Sequence, residues 1–196
     1  KMELDLLSAS AHKLNGPKGV GFLYVRKGTR IAPFLHGGDQ EKKRRASTHN
    51  VPGIIGFATA ARAAGREMES EISRLTGLRD RFIREVISRV PHCRLNGHPE
   101  KRLPGNINLS AACVEGEALV LTLDMEGVAC STGSACTSET LEPSHVLKAI
   151  GLPQELAHGS MRFSMGRMNS AAEVDYVAGI LPGIIEKLRA ISPLYE

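Results

Sequence analysis

Three short stretches of this sequence carry side chains that could do chemistry. The first is Ser10-Ala11-His12-Lys13, which follows an apolar run from Leu4 to Ala9. That run suits a buried strand of a mainly parallel sheet, and α/β folds bind ligands at the carboxyl ends of such strands. A hydroxyl and an imidazole there can bind a phosphate, and a lysine in a dry site can form a Schiff base. A solvated loop lysine fits the same tetrapeptide. The second stretch is Ser131-Thr132-Gly133-Ser134-Ala135-Cys136-Thr137-Ser138, small residues around one thiol. It suits a nucleophile that visits a substrate and then a partner. It also suits a small hydrophobe tucked under a loop. The third is Arg162, set among strand formers in Met161-Arg162-Phe163-Ser164. A buried arginine needs an anion, either a structural Asp or Glu or a substrate carboxylate held by a two-pronged contact.

Other candidates carry less. Gly16-Pro17-Lys18-Gly19-Val20-Gly21 lacks the P-loop spacing and precedes a strand, so it reads as a turn. Cys93, Cys113 and Cys130 form no CxxC pair and no zinc-type spacing, so they read as structural free thiols, and no metal is implied. The basic run Lys42-Lys43-Arg44-Arg45 has no interleaved aromatics and reads as a solvated loop, not a nucleic-acid patch. The 196 residues are 42% apolar and 23% charged, with a net charge of +4, the balance of a globular protein. No signal peptide or membrane-length apolar run is present, so a soluble cytoplasmic protein is expected. The chain opens at Lys1 and reads within a few residues as a buried strand. This leads us to expect a piece that begins inside a larger fold.

The elements that must position these residues mix strands and helices. Strands are expected at 4–9 and 20–25, then a long polar excursion over 26–51 and a helix from Pro52. Ile72, Leu75, Leu78, Phe82, Val86 and Val90 mark an amphipathic helix closed by Pro91. Strands follow near 93–95 and 107–109, a helix over 117–125, and a strand at 128–130. A short helix over 144–150 and a strand at 161–164 come next. Ser170 and Glu173 have capping-box spacing before a last helix containing Pro182, which should kink it. A boundary is expected near residue 69, dividing 1–69 from 70–196.

Taken together and in order, several motifs resemble the NifS-like cysteine desulfurases, in the class V branch of fold-type-I pyridoxal-phosphate enzymes. They are Ser8 to Arg26, His36-Gly37-Gly38, Arg45-Ala46-Ser47-Thr48, Ser131 to Ser138 with Leu141-Glu142-Pro143-Ser144, and Met161 to Arg167. The resemblance covers essentially the whole chain. It implies an α/β fold: residues 1–69 as the C-terminal part of a pyridoxal-phosphate-binding large domain with a mainly parallel sheet, and 70–196 as a smaller α+β domain. It implies that Lys13 carries pyridoxal 5'-phosphate and moves protons at the substrate α-carbon. Ser10 and His12 would bind the cofactor phosphate, and Thr48 that of the other subunit of a homodimer. Arg162 would clamp the substrate carboxylate.

Cys136 would take sulfur from L-cysteine as a persulfide, leaving L-alanine. Its extended loop resembles the first of the two desulfurase groups. The sulfur would pass to an acceptor protein, an iron–sulfur scaffold or a tRNA-thiolation enzyme. No direct nucleic-acid or membrane partner is implied. Thr132 stands where Ser is more usual, and Ala46-Ser47 where Ser-Gly is common. The family's first half, with its ring-stacking His and its Asp at the pyridine nitrogen, is not in this sequence. The isolated chain is therefore expected to be inactive or nearly so. A selenocysteine lyase or another class V enzyme, and a non-catalytic dimerisation or docking piece, are the competing readings.

Overall fold

The computed structural model describes residues 3–132, 144–193 and 195. The chain divides into two units, Lys1–Glu69 and Ser70–Glu196. No helix among the described residues is long and apolar enough to cross a membrane.

In the first unit, β1 (Leu6–Ser10) pairs with β2 (Gly21–Val25), with Leu6 opposite Val25 and Ser10 opposite Gly21. The sequence places β1 in a mainly parallel sheet, but this ladder is antiparallel. The link from Ser10 to Gly21 is a 3-10 turn at Ala11–Leu14 and a short loop, which reverses the chain. The expected burial of β1 is not met either: Leu6 and Leu7 are 46% and 44% exposed. A two-stranded ribbon has few neighbours to cover it, and one of them is the long helix α2 (Val51–Arg89). The Phe22 and Phe57 rings stack there with centroids 5.5 Å apart. Pro17 also lies against Gly56, where a Cβ would come within 2.5 Å of the proline ring, so this contact needs glycine.

Residues 26–50 form the polar excursion. Leu35 and Arg45 make an isolated bridge, and the Ala46 N–H donates to the Leu35 carbonyl at 3.2 Å. The four-residue α1 (Gln40–Lys43) contains left-handed backbone at Glu41 and Lys42, and Lys43 and Ser47 also have positive φ, 63° and 85°. The Gly53 N–H donates to Asn50 Oδ1 at 3.1 Å, so Asn50 caps α2. The start expected near Pro52 and the amphipathic stretch from Ile72 belong to this one helix.

In the second unit, β3 (Cys93–Leu95), β4 (Asn106–Ala111), β5 (Ser131–Thr132) and β6 (Ser160–Ser164) form a sheet in the order β3-β4-β6-β5, antiparallel throughout. Ile107, Leu109, Met161 and Phe163 enter the core and meet Phe82 and Val86 of α2. The helices α3 (Gly116–Met125) and α6 (Ala171–Ala190) complete it with Leu119, Leu123, Leu181 and Ile185. Phe82 and Phe163 are 5.1 Å apart at a tilt of 57°. Two five-residue helices, α4 (His145–Ala149) and α5 (Gln154–His158), bury Leu147, Leu152 and Ala157 in a satellite cluster. The sequence pattern did not reveal α5.

The strand expected at 128–130 lies instead at Ser131–Thr132. The Gly127 N–H donates to the Asp124 carbonyl and the Val128 N–H to the Leu123 carbonyl, both at 2.9 Å. With Gly127 at φ 76°, this closes α3 as a Schellman motif. Val128 and Cys130 pack against the core without strand pairing. The capping box is formed: Ser170 Oγ accepts from the Glu173 N–H, and the Glu173 carboxylate accepts from the Ser170 N–H. The helix continues through Pro182.

Three outcomes follow for stability, each read as a shift in urea midpoint. Ser47→Gly should stabilise the chain by about 0.5–1 kcal/mol, because relief of left-handed strain exceeds the entropy cost of glycine. Ser170→Ala should destabilise it by about 1 kcal/mol. The Ser170 backbone N–H holds the Glu173 carboxyl below its usual range. This depressed pKa makes the Glu173 contribution present above about pH 4.5 and lost as the pH falls through the lowered value. The stability difference between wild type and Glu173→Gln should shrink in that acid window.

Candidate functional site

Ser10 ends β1 and precedes the 3-10 turn with extended backbone. The turn is fixed from below by Ala11, which is fully buried and whose N–H donates to the Val20 carbonyl at 3.0 Å. Its carbonyl accepts from the Gly16 N–H at 2.9 Å, and Asn15 leaves the turn in the left-handed region at φ 59°. A small buried residue thus anchors the turn, while its neighbours Ser10, His12 and Lys13 are exposed. A pocket of about 430 Å³ opens there, lined by Ser8, Ala9, Ser10, Lys13 and Leu14. The structure therefore brings Ser10 and Lys13 together. His12 is on the same turn but not on the pocket wall. Ser8 is a wall residue that sequence reasoning passed over; its two-residue spacing from Ser10 was the available signal.

Thr48 is exposed in the loop before α2, two residues ahead of the capping Asn50. Its neighbour His49 donates through Nε2 to Glu41 Oε1 at 3.0 Å, which ties this end of the loop to α1. Thr48 is not on the wall of the Lys13 pocket.

Arg162 belongs to the second unit, in the middle of β6. It stands opposite Asn108 on one side and Ser131 on the other. Its Nε is buried without a hydrogen-bond partner among the described residues, as is Ser131 Oγ. By contrast, Arg74 holds Glu71 at 2.9 Å and Arg79 holds Asp80 at 2.8 Å. Among the described residues no carboxylate pairs with Arg162. Sequence reading put Ser131 in a loop, so its place opposite Arg162 was missed.

Cys136 lies outside the described residues. The described thiols are free, and burial shapes two of them. Burial pushes the Cys93 thiol up to about 11 and, with the nearby Asp124 carboxylate, raises that of Cys130. Both are protonated and weakly nucleophilic at neutral pH.

Known proteins place this geometry in context. The chain is 58% identical over 193 residues to the cysteine desulfurase IscS of Dictyoglomus turgidum, covering 98% of this chain and 49% of that protein. It is 53% identical to the IscS of Methanosarcina thermophila, covering 99% and 48%. Its fold matches a solved NifS-like protein with a TM-score of 0.84 at 34% identity, over 95% of this chain and 47% of the other. The chain therefore spans about half the length of the curated relatives it matches. The class-V aminotransferase family profile matches residues 1–177, so this chain belongs to that family, whose enzymes depend on pyridoxal phosphate.

Proposed function

We propose that this chain is the half of a pyridoxal-phosphate-dependent cysteine desulfurase that carries the cofactor lysine and the sulfur-accepting thiol. The observation that carries the reading is the pocket at the end of β1, whose lining includes both Lys13 and Ser10. The names of the relatives narrow the reaction to cysteine desulfuration.

The donor set fits the cofactor. Lys13, which carries a primary amine for its aldehyde, and Ser10, which carries a hydroxyl for its phosphate, line the same pocket, and His12 is on the same turn as Lys13. Thr48 adds a hydroxyl for the cofactor phosphate of a second subunit in a homodimer. When bound, the cofactor supplies the electron sink for chemistry at the substrate α-carbon. Lys13 Nζ would hold it and would move the proton at the substrate α-carbon. Arg162 orients the substrate by its α-carboxylate. The Cys136 thiolate attacks the sulfur of L-cysteine and forms an S–S bond as the substrate Cβ–S bond breaks. L-alanine is the organic product, and a persulfide remains on Cys136 for an acceptor protein, an iron–sulfur scaffold or a tRNA-thiolation enzyme. In this reading Lys1–Glu69 belongs to the cofactor-binding domain and Ser70–Glu196 is the small domain bearing the thiol. The whole reaction needs a protein of the relatives' length and is placed in the cytoplasm.

Borohydride reduction of the chain with pyridoxal phosphate, followed by peptide mass mapping, tests the lysine. The label should concentrate on the peptide containing Lys13 and vanish in Lys13→Ala. Equal labelling of lysines across the surface would contradict the assignment. In a protein of the relatives' full length, Lys13→Ala should lower alanine release from L-cysteine by at least about 100-fold.

A further inference from the structure

Residues directly opposed in an antiparallel ladder project from the same face, with Cβ atoms about 4.5–5.5 Å apart. Arg162 is therefore flanked on one face of the sheet by Asn108 and Ser131. The other face carries Ile107, Leu109, Met161 and Phe163 into the core. Arg162 Nε and Ser131 Oγ are both buried, and among the described residues both lack a hydrogen-bond partner. One of them can only donate, and the other can accept. Asn108 is the weaker candidate for the guanidinium: its Oδ1 already accepts from Asn96 Nδ2 at 2.7 Å, and its remaining amide group can only donate.

We propose that Ser131 is a positioning residue for Arg162, its Oγ accepting the Nε–H of the guanidinium. No bond joins them in this structure; the proposed contact requires Ser131 to turn to another of its staggered χ1 positions. With Nε occupied, the guanidinium presents its two terminal nitrogens, Nη1 and Nη2, as an end-on fork for an anion. Ser131 selects that edge and holds the fork at a fixed angle to the sheet. That the anion is an amino-acid α-carboxylate rests on the proposed function; the contact between Ser131 and Arg162 does not.

The test compares Ser131→Thr with Ser131→Val in the full 196-residue chain. These side chains have the same shape and both favour strands, but only threonine keeps the acceptor. Nitrogen-15 NMR reads the arginine Nε–H signals, with that of Arg162 assigned by its loss in Arg162→Lys. The Arg162 Nε–H should exchange with water about tenfold faster in Ser131→Val than in wild type, while Ser131→Thr should restore slow exchange. Equal exchange in the Thr and Val variants, with backbone spectra intact, would overturn the proposal. Titration with L-alanine then separates the two claims. A shift of the Arg162 signal that weakens in Ser131→Val supports both. A persistent difference between Thr and Val with no response to alanine upholds the positioning role and counts against the carboxylate reading alone.

Discussion

In β6 the side chains of Met161 and Phe163 enter the core, and that of Arg162, between them, cannot. The register with β4, Ile107 opposite Phe163 and Leu109 opposite Met161, stacks four large apolar side chains on one face. A slip of one residue would exchange the faces and drive a guanidinium into an apolar interior. The effective penalty for such an unpaired charge is several kcal/mol, a large part of a domain's stability. The alternation that closes the core therefore also fixes the face on which Arg162, Asn108 and Ser131 stand. The same period acts in β1, where Ser8 and Ser10 fall on one face and both reach the pocket that holds Lys13.

Burial sorts the thiols as firmly as it sorts the arginines. Cys93 and Cys130 pack against the main core, and loss of hydration raises both thiol pKa values. A reaction that needs a thiolate at neutral pH draws little from either. The segment around Cys136 is built from Gly, Ser, Ala and Thr, which supply little apolar area to bury the thiol.

What the sequence disclosed depended on how local the signal was. The capping box at Ser170 and Glu173 was legible because both partners are three residues apart and no distant contact decides it. The alternation in Ile107–Leu109 and Met161–Phe163 was legible for the same reason. The strand expected at 128–130 was displaced because the Val128 N–H is consumed in closing α3, a choice the apolar run does not reveal. The five residues of α5 are too few for a helical period to show. The exposure of β1 depends on which elements lie over it, and its apolar composition gave no warning. Lys13 and Cys136 were only weak candidates from their own neighbours. The order of motifs along the whole chain singled them out.

The central claim is that Cys136 receives sulfur from L-cysteine. Peptide mass mapping of the persulfide tests it most directly, in a protein of the relatives' length that contains this sequence, loaded with pyridoxal phosphate and given L-cysteine. One added sulfur atom should appear on the peptide containing Cys136, and not on those containing Cys93, Cys113 or Cys130. It should disappear in Cys136→Ser. Sulfur on one of the other three thiols, or alanine formed with no sulfur retained on the protein, would contradict the account.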